Sequence, residues 1–157
     1  AVEPEKIKRL LDDACRSPSA GHTQAQEFVV ITDPEKITQL AYTTFDQYEL
    51  VKAKAVIAVT VDLLRLANRY GQRAFERYGW IDGAFAAMLI LLGLVDEGLG
   101  GVFIGAFNDL AVKNILSLED HYVTVGLIFI GYPDRTKAGK LEWRDQRVSF
   151  IGEYVST

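Results

Sequence analysis

The chain has 157 residues, 49% hydrophobic and 24% charged, with 21 acidic against 17 basic side chains and a formal charge of −4. That size and balance describe one soluble domain and argue against a nucleic-acid partner. The lone cysteine, Cys15, excludes an internal disulfide and points to a reducing, cytoplasmic setting.

Pro4 stands where helices start, and Ile7, Leu10, Leu11 and Ala14 follow at helical spacing. This first helix should end near Arg16, because Ser17-Pro18-Ser19-Ala20-Gly21 is turn chemistry. Phe28–Ile31 reads as a short buried strand. Asp33 is the natural N-cap of a second helix that begins at Pro34 and carries Ile37, Leu40 and Ala41 inward. Ala55–Val61 is the clearest strand, apolar enough to be central in a sheet.

Between Val61 and Trp80, Arg65, Arg69, Arg73 and Arg77 recur every fourth residue and make one basic stripe if the segment is helical. The stripe is either a solvated helix face or a guide for an anionic substrate or for cofactor phosphates.

The stretch from Tyr78 to Phe107 organises the rest. Its first half, Ile81 to Val95, has almost no polar face, and such a helix is buried on all sides or crosses a membrane. A span needs about 20 apolar residues, and Asp82 and the pair Asp96-Glu97 close this run too early. No membrane association is therefore expected. A core helix with more apolar surface than a small domain needs predicts packing against its own copy in a symmetric homodimer. After Gly98-Leu99-Gly100-Gly101 comes a short strand, Val102–Ile104, then Gly105-Ala106, small enough to let a flat ligand reach the backbone.

Asn108-Asp109 caps another helix, Val123–Ile130 is a further strand, and residues 134–157 read as a C-terminal arm of the single domain. Helices and strands mix without regular alternation, which favours an α+β fold.

Familiar catalytic patterns are absent. There is no Gly-x-Ser-x-Gly elbow and no Walker loop, and Phe103 stands where a dinucleotide fingerprint needs its third glycine. His22, His121 and Cys15 make no metal-ligand set. An enzyme built this way takes its reactivity from an organic cofactor.

Four segments in order resemble the nitroreductase family of FMN-dependent oxidoreductases. Arg16–Gln24 followed by Phe28-Val29-Val30 is similar to the family's PSAGNxQPWxFVV signature. Gln47 matches a glutamine placed before the central strand. Ile81-Asp82-Gly83-Ala84, Gly98-Leu99-Gly100 and Ile104–Phe107 are similar to IDxGAAxQNLLLAAxxLGLGxxWIGAF. Gly131-Tyr132-Pro133, then Lys140 and Arg144, resembles GYP…KPRR.

The resemblance implies a central mixed sheet flanked by helices, in an intertwined homodimer with an FMN at each of two sites across the interface. It implies that Ser17, Pro18, Ser19 and His22 line the ring from one subunit and that Gln47 bonds the isoalloxazine edge. Ile104, Gly105 and Ala106 would bring backbone N–H groups near flavin N5, and Lys140 and Arg144 would meet the phosphate. It further implies NAD(P)H as electron donor, a small-molecule acceptor such as a nitroaromatic or quinone, and ping-pong turnover. A flavin- or ligand-binding dimer of the same fold without NAD(P)H turnover is the alternative.

Three departures stand out. His22 replaces the family's asparagine, and Ala25-Gln26 replaces its Pro-Trp. The family's RRSxR-like phosphate segment is absent ahead of Val2, so phosphate binding is expected either from residues upstream of Ala1 or from the C-terminal basic side chains.

Overall fold

Strand β2 (Ala55–Asp62) is buried along nearly its whole length, because both faces of the sheet are covered. A computed structural model describes residues 1–45 and 47–134, and in it the four strands run in the order β1-β2-β4-β3. Strand β1 (Gln26–Ile31) and β4 (Tyr122–Gly131) flank β2, and β3 (Gly100–Ile104) forms the far edge. Alternation along β2 decides which layer each side chain joins. Ala55, Ile57, Val59 and Val61 pack with α1 (Pro4–Ala14), α3 (Leu63–Tyr70) and α4 (Gly79–Asp96). Val56 and Ala58 pack with α2 (Pro34–Thr43) and α5 (Asp109–Leu116) on the opposite face.

The α+β architecture is as expected, with one difference in detail. All three strand pairings among the described residues are antiparallel, where a mixed sheet was anticipated. Parallel neighbours need a connection that crosses from one end of the sheet to the other. Here α2 and the turn Tyr48–Lys52 return the chain to the end it left, since Ile31 pairs with Val56. Residues 135–157, with Lys140, Arg144 and nearly all of the expected arm, lie outside the described residues.

Helix α1 lies antiparallel against α4. Arg9 grips the Glu97 carboxylate at the far end with Nη2 to Oε2 at 2.7 Å, and Lys6 donates to the Glu97 carbonyl at 2.9 Å. Small residues let α4 come close to its neighbours. A Cβ on Gly83 would lie 2.4 Å from Val125, the residue that β4 inserts where its register with β2 shifts.

Two expectations change here. The arginine stripe is not continuous, because α3 stops at Gly71 (φ +53°), and a wide turn over Ala74–Tyr78 then leads into α4. The continuous helical stretch Ala74–Asp96 has 23 residues and contains an 18-residue window with a mean hydropathy of 1.8, so by length and composition it could cross a membrane. Asp82 does not end it. Within the chain α4 acts as a core helix on one face, where Gly79, Asp82, Gly83, Ala86, Ala87, Ile90 and Leu94 are buried. Its other face is exposed along Ile81, Phe85, Met88, Leu92 and Val95, the last at 76%. That spacing of four and three matches the pattern of residues along a helix-pair seam.

Candidate functional site: a pinned loop and a bare turn

The segment from Ser17 to Gln24 leaves α1 and enters β1 through backbone that side chains avoid. Gly21, His22 and Gln24 all have left-handed φ, at +55°, +56° and +49°. For the two non-glycine residues this costs of order 1–3 kcal/mol each and persists only where the surroundings over-determine it. Here they do. Ser19 Oγ accepts from the Gln24 amide at 2.9 Å, and the Ser19 carbonyl accepts from the His22 amide at 2.9 Å.

From α3, Arg69 donates to the Gly21 carbonyl at 2.9 Å, and Arg65 donates to the Gln24 carbonyl at 3.0 Å and to Glu27 at 2.6 Å. A Cβ on Gly21 would lie 2.3 Å from the Tyr70 hydroxyl. The first half of the arginine stripe therefore holds the loop, while Arg73 and Arg77 face solvent.

A buried polar seat supports the loop from below. Asp82, in the first turn of α4 and only 2% exposed, receives the Ala20 amide on both carboxylate oxygens at 3.0 Å. Burial pushes its carboxyl above the ordinary aspartate value, and the Ala20 hydrogen bond pulls it part of the way back. Gln26 reaches from β1 and donates to Ser17 Oγ at 3.1 Å, the Pro18 carbonyl at 3.2 Å and the Asp82 carbonyl at 3.3 Å. Its own Oε1 is buried with no hydrogen-bond partner among the described residues. Ser17, 1% exposed, thus has its hydroxyl turned into the protein, and Pro18, Gly21 and His22 are the exposed residues of the loop.

The other expected residues gather elsewhere. Gly105 and Ala106 are exposed where the chain leaves edge strand β3, and Ile104 just before them is buried. Neither amide takes part in the turn and loop hydrogen bonds of the described residues. Space over Gly105 is open except for the edge of Phe103, 3.3 Å from where a Cβ would sit. Next to this turn, Ala84, Ala87, Met88, Leu91 and Phe103 line an apolar cleft. Thr44 pairs with Phe107, and Asn108 donates to the Thr43 carbonyl at 2.9 Å. The exposed stretch that carries Gln47 is thereby anchored beside the turn.

So the described residues form two groups: Ser17–His22 at the β1 edge, and Gln47 with Ile104–Ala106 at the β3 edge. Strand order puts two strands between those edges, roughly 14 Å at about 4.8 Å per strand.

The sequence reading missed Asp82, Gln26, Arg65 and Arg69 as the residues that shape the loop. One signal was available: a carboxylate within an otherwise apolar helix must find a donor or lose its charge.

With this geometry in hand, the comparisons with known proteins decide the family. The model of the nitroreductase family matches residues 1–62 and 40–132. The chain belongs to the nitroreductase family. It is 29% identical over 154 residues to an NADH dehydrogenase of Thermus thermophilus, spanning 81% of this chain and 75% of that one. It is 27% identical over 163 residues to an FMN reductase (NADPH) of Bacillus subtilis, spanning 96% and 66%. The solved FMN-dependent nitroreductase of Clostridium difficile superposes with a TM-score of 0.73 at 25% identity, over 85% of this chain and 78% of that one.

Proposed function

We propose that this nitroreductase-family protein is an FMN-dependent oxidoreductase that takes electrons from NAD(P)H and passes them to a small acceptor, a nitroaromatic or quinone, in ping-pong turnover. The carrying observation is the pairing of a rigid, exposed loop with a bare backbone turn on opposite edges of one sheet. An unpartnered apolar helix face lies between them. Burying Phe85, Met88, Leu92 and Val95 against a second copy removes that face from water and allows one copy's loop to meet the other's turn.

The residues fit a flavin. Gly105 presents backbone with no side chain of its own and only the edge of Phe103 beside it, and the Ala84–Phe103 cleft suits an apolar ring system. When bound, FMN supplies the two-electron chemistry. The chain's task is to bind and orient. Pro18 and His22 would border the ring, Gln47 would bond its edge, and the Gly105 and Ala106 amides would face N5, where fixed donors favour added electron density. One open ring face would serve donor and acceptor in turn.

The deciding measurement is the absorbance spectrum of the purified protein with and without added FMN, followed by steady-state oxidation of NADH and NADPH. A bound-flavin spectrum and parallel double-reciprocal plots are expected. Protein that binds no FMN overturns the reading. Protein that binds FMN but oxidises neither nucleotide is a flavin-binding dimer without turnover.

A further inference from the structure

We propose that Asp82 is a positioning residue: from beneath the Ser17–Gln24 loop, its carboxylate holds the Ala20 amide and so keeps Pro18–His22 in the conformation that receives the ligand. This rests on the flavin reading above. The contacts that hold the loop are one-sided in polarity. Arg65, Arg69 and Gln26 all donate to loop oxygens. Ser17 donates to the Ala14 carbonyl where α1 runs into the loop, and past that point Asp82 is, among the described residues, the one group outside the loop that accepts from a loop amide. Without it the Ala20 N–H would be left unpaired in a half-buried place against the core, and a donor stranded that way drives local rearrangement.

Ala20 is also the pivot of the loop. It opens the Ala20–His22 turn, its carbonyl accepts from both the amide and the hydroxyl of Thr23, and the left-handed Gly21 and His22 follow it directly. Release of Ala20 therefore frees His22, whose left-handed backbone is unfavourable on its own, and both Gly21 and His22 are exposed residues of the ligand-facing side. Burial supports the same reading. Among the described residues no charged side chain offsets the Asp82 carboxyl, so a carboxylate is kept in a costly place with the Ala20 amide as the one partner of its oxygens.

Three variants test the proposal. Asp82→Ala removes the acceptor, and Asp82→Asn keeps one. Ala20→Pro removes the donor at a position where proline is tolerated, since Ser19 before it is extended (φ −140°, ψ 153°) and Ala20 is the first residue of its turn.

Flavin fluorescence titration should show Asp82→Ala and Ala20→Pro binding FMN about ten- to a hundredfold more weakly, the range for a hydrogen bond to a charged group. Riboflavin should lose equally, because the loop borders the ring and not the phosphate. Asp82→Asn should stay within about threefold, since the acceptor remains. Amide exchange at Ala20–Gln24 should accelerate in the first two variants and not in the third, while the core strands keep their protection.

Wild-type affinity in both Asp82→Ala and Ala20→Pro, or Asp82→Asn as weak as Asp82→Ala, overturns the proposal. Should Asp82→Ala fail to fold, Ala20→Pro against Asp82→Asn decides. If wild type binds no flavin, the flavin reading falls, and unchanged loop exchange in Asp82→Ala would overturn the Asp82 role separately.

Discussion

The two halves of the proposed site are built on opposite principles. The Ser17–Gln24 loop has a poor backbone held by good side chains: left-handed residues fixed by Asp82, Gln26, Arg65 and Arg69. Among the described residues the Gly105–Ala106 turn has no such supports. It is the plain continuation of an edge strand, kept in place by the β3–β4 ladder, the Thr44–Phe107 bridge and the cap of α5. One half spends side chains on shape and leaves few for a ligand, whereas the other leaves its amides free and depends on what packs around it. A site that needs both must bring two differently supported pieces together, and within one chain they stand at opposite edges of the sheet.

The largest effect should come from keeping the halves apart. Leu92 lies mid-stripe on the exposed face of α4. Leu92→Glu would bury an unpaired carboxylate from each copy in the proposed seam, a penalty of several kcal/mol per charge. Light scattering should then report a monomer at micromolar concentration, with an unchanged far-ultraviolet spectrum and no FMN binding. A monomer that still binds FMN would show that one chain holds a complete site, and the comparison would collapse.

Next in size is a change aimed at the turn alone. A Cβ on Gly126 would lie 2.1 Å from the Phe103 ring, and the other side of that ring approaches Gly105. Gly126→Ala must swing Phe103 aside, at about 1–3 kcal/mol for overpacking. Chemical denaturation should register that loss and FMN affinity should fall, while amide exchange at Ala20–Gln24 stays as in wild type. Faster loop exchange would mean the halves are mechanically coupled within one chain.

How much of this was legible in the sequence follows the same division. Elements with strong local signals appeared where expected. Asp33 and Asn108 cap α2 and α5 through their side chains, at 3.1 Å and 2.9 Å. The alternation of β2 sorts its residues into the two core layers. The turn was legible because Gly105-Ala106 is a statement about backbone and small size. The supports of the loop were not, because they are long-range. Gln26 and Asp82 are 56 residues apart, and Arg69 and Gly21 are 48. Periodicity sees one element at a time, so it read Asp82 as the end of an apolar run and the arginines as a stripe.

A smaller effect separates Asp82 by its sign from the carboxylates that hydrogen bonds hold low. Its folded form binds the proton more tightly than the unfolded chain does, so stability falls as pH rises from about the ordinary value of 3.8 to the raised folded value. Glu97, held down by the Arg9 hydrogen bond, and Glu3, held down by Tyr132, act in the opposite direction. Their stabilisation is present above the unfolded value and is lost as pH falls through the folded one. Both are common to wild type and Asp82→Asn, so they cancel in the difference. The melting temperature of Asp82→Asn minus that of wild type should rise with pH across the Asp82 window and then level off. A difference flat in pH would mean that Asp82 does not titrate there.

The smallest effects come from a matched pair, one variant in each half. Arg65→Ala removes a half-exposed arginine that bonds Gln24 and Glu27, but Asp82, Gln26 and Arg69 still hold the loop. Exposed pairs contribute little, so about 0.5 kcal/mol of stability and almost no FMN affinity should be lost. Asn108→Ala removes the side chain that accepts from Ala111 at 2.9 Å and starts α5 directly after the turn. A lost N-cap costs about 1 kcal/mol, and here it also loosens the path of the chain leaving Phe107. Among the described residues the turn has no redundant side-chain support, so Asn108→Ala should weaken FMN more than Arg65→Ala does. Urea denaturation and fluorescence titration of both variants measure the two effects together. The reverse order in affinity, with Arg65→Ala the weaker binder, would mean that the loop and not the turn is the less securely held half.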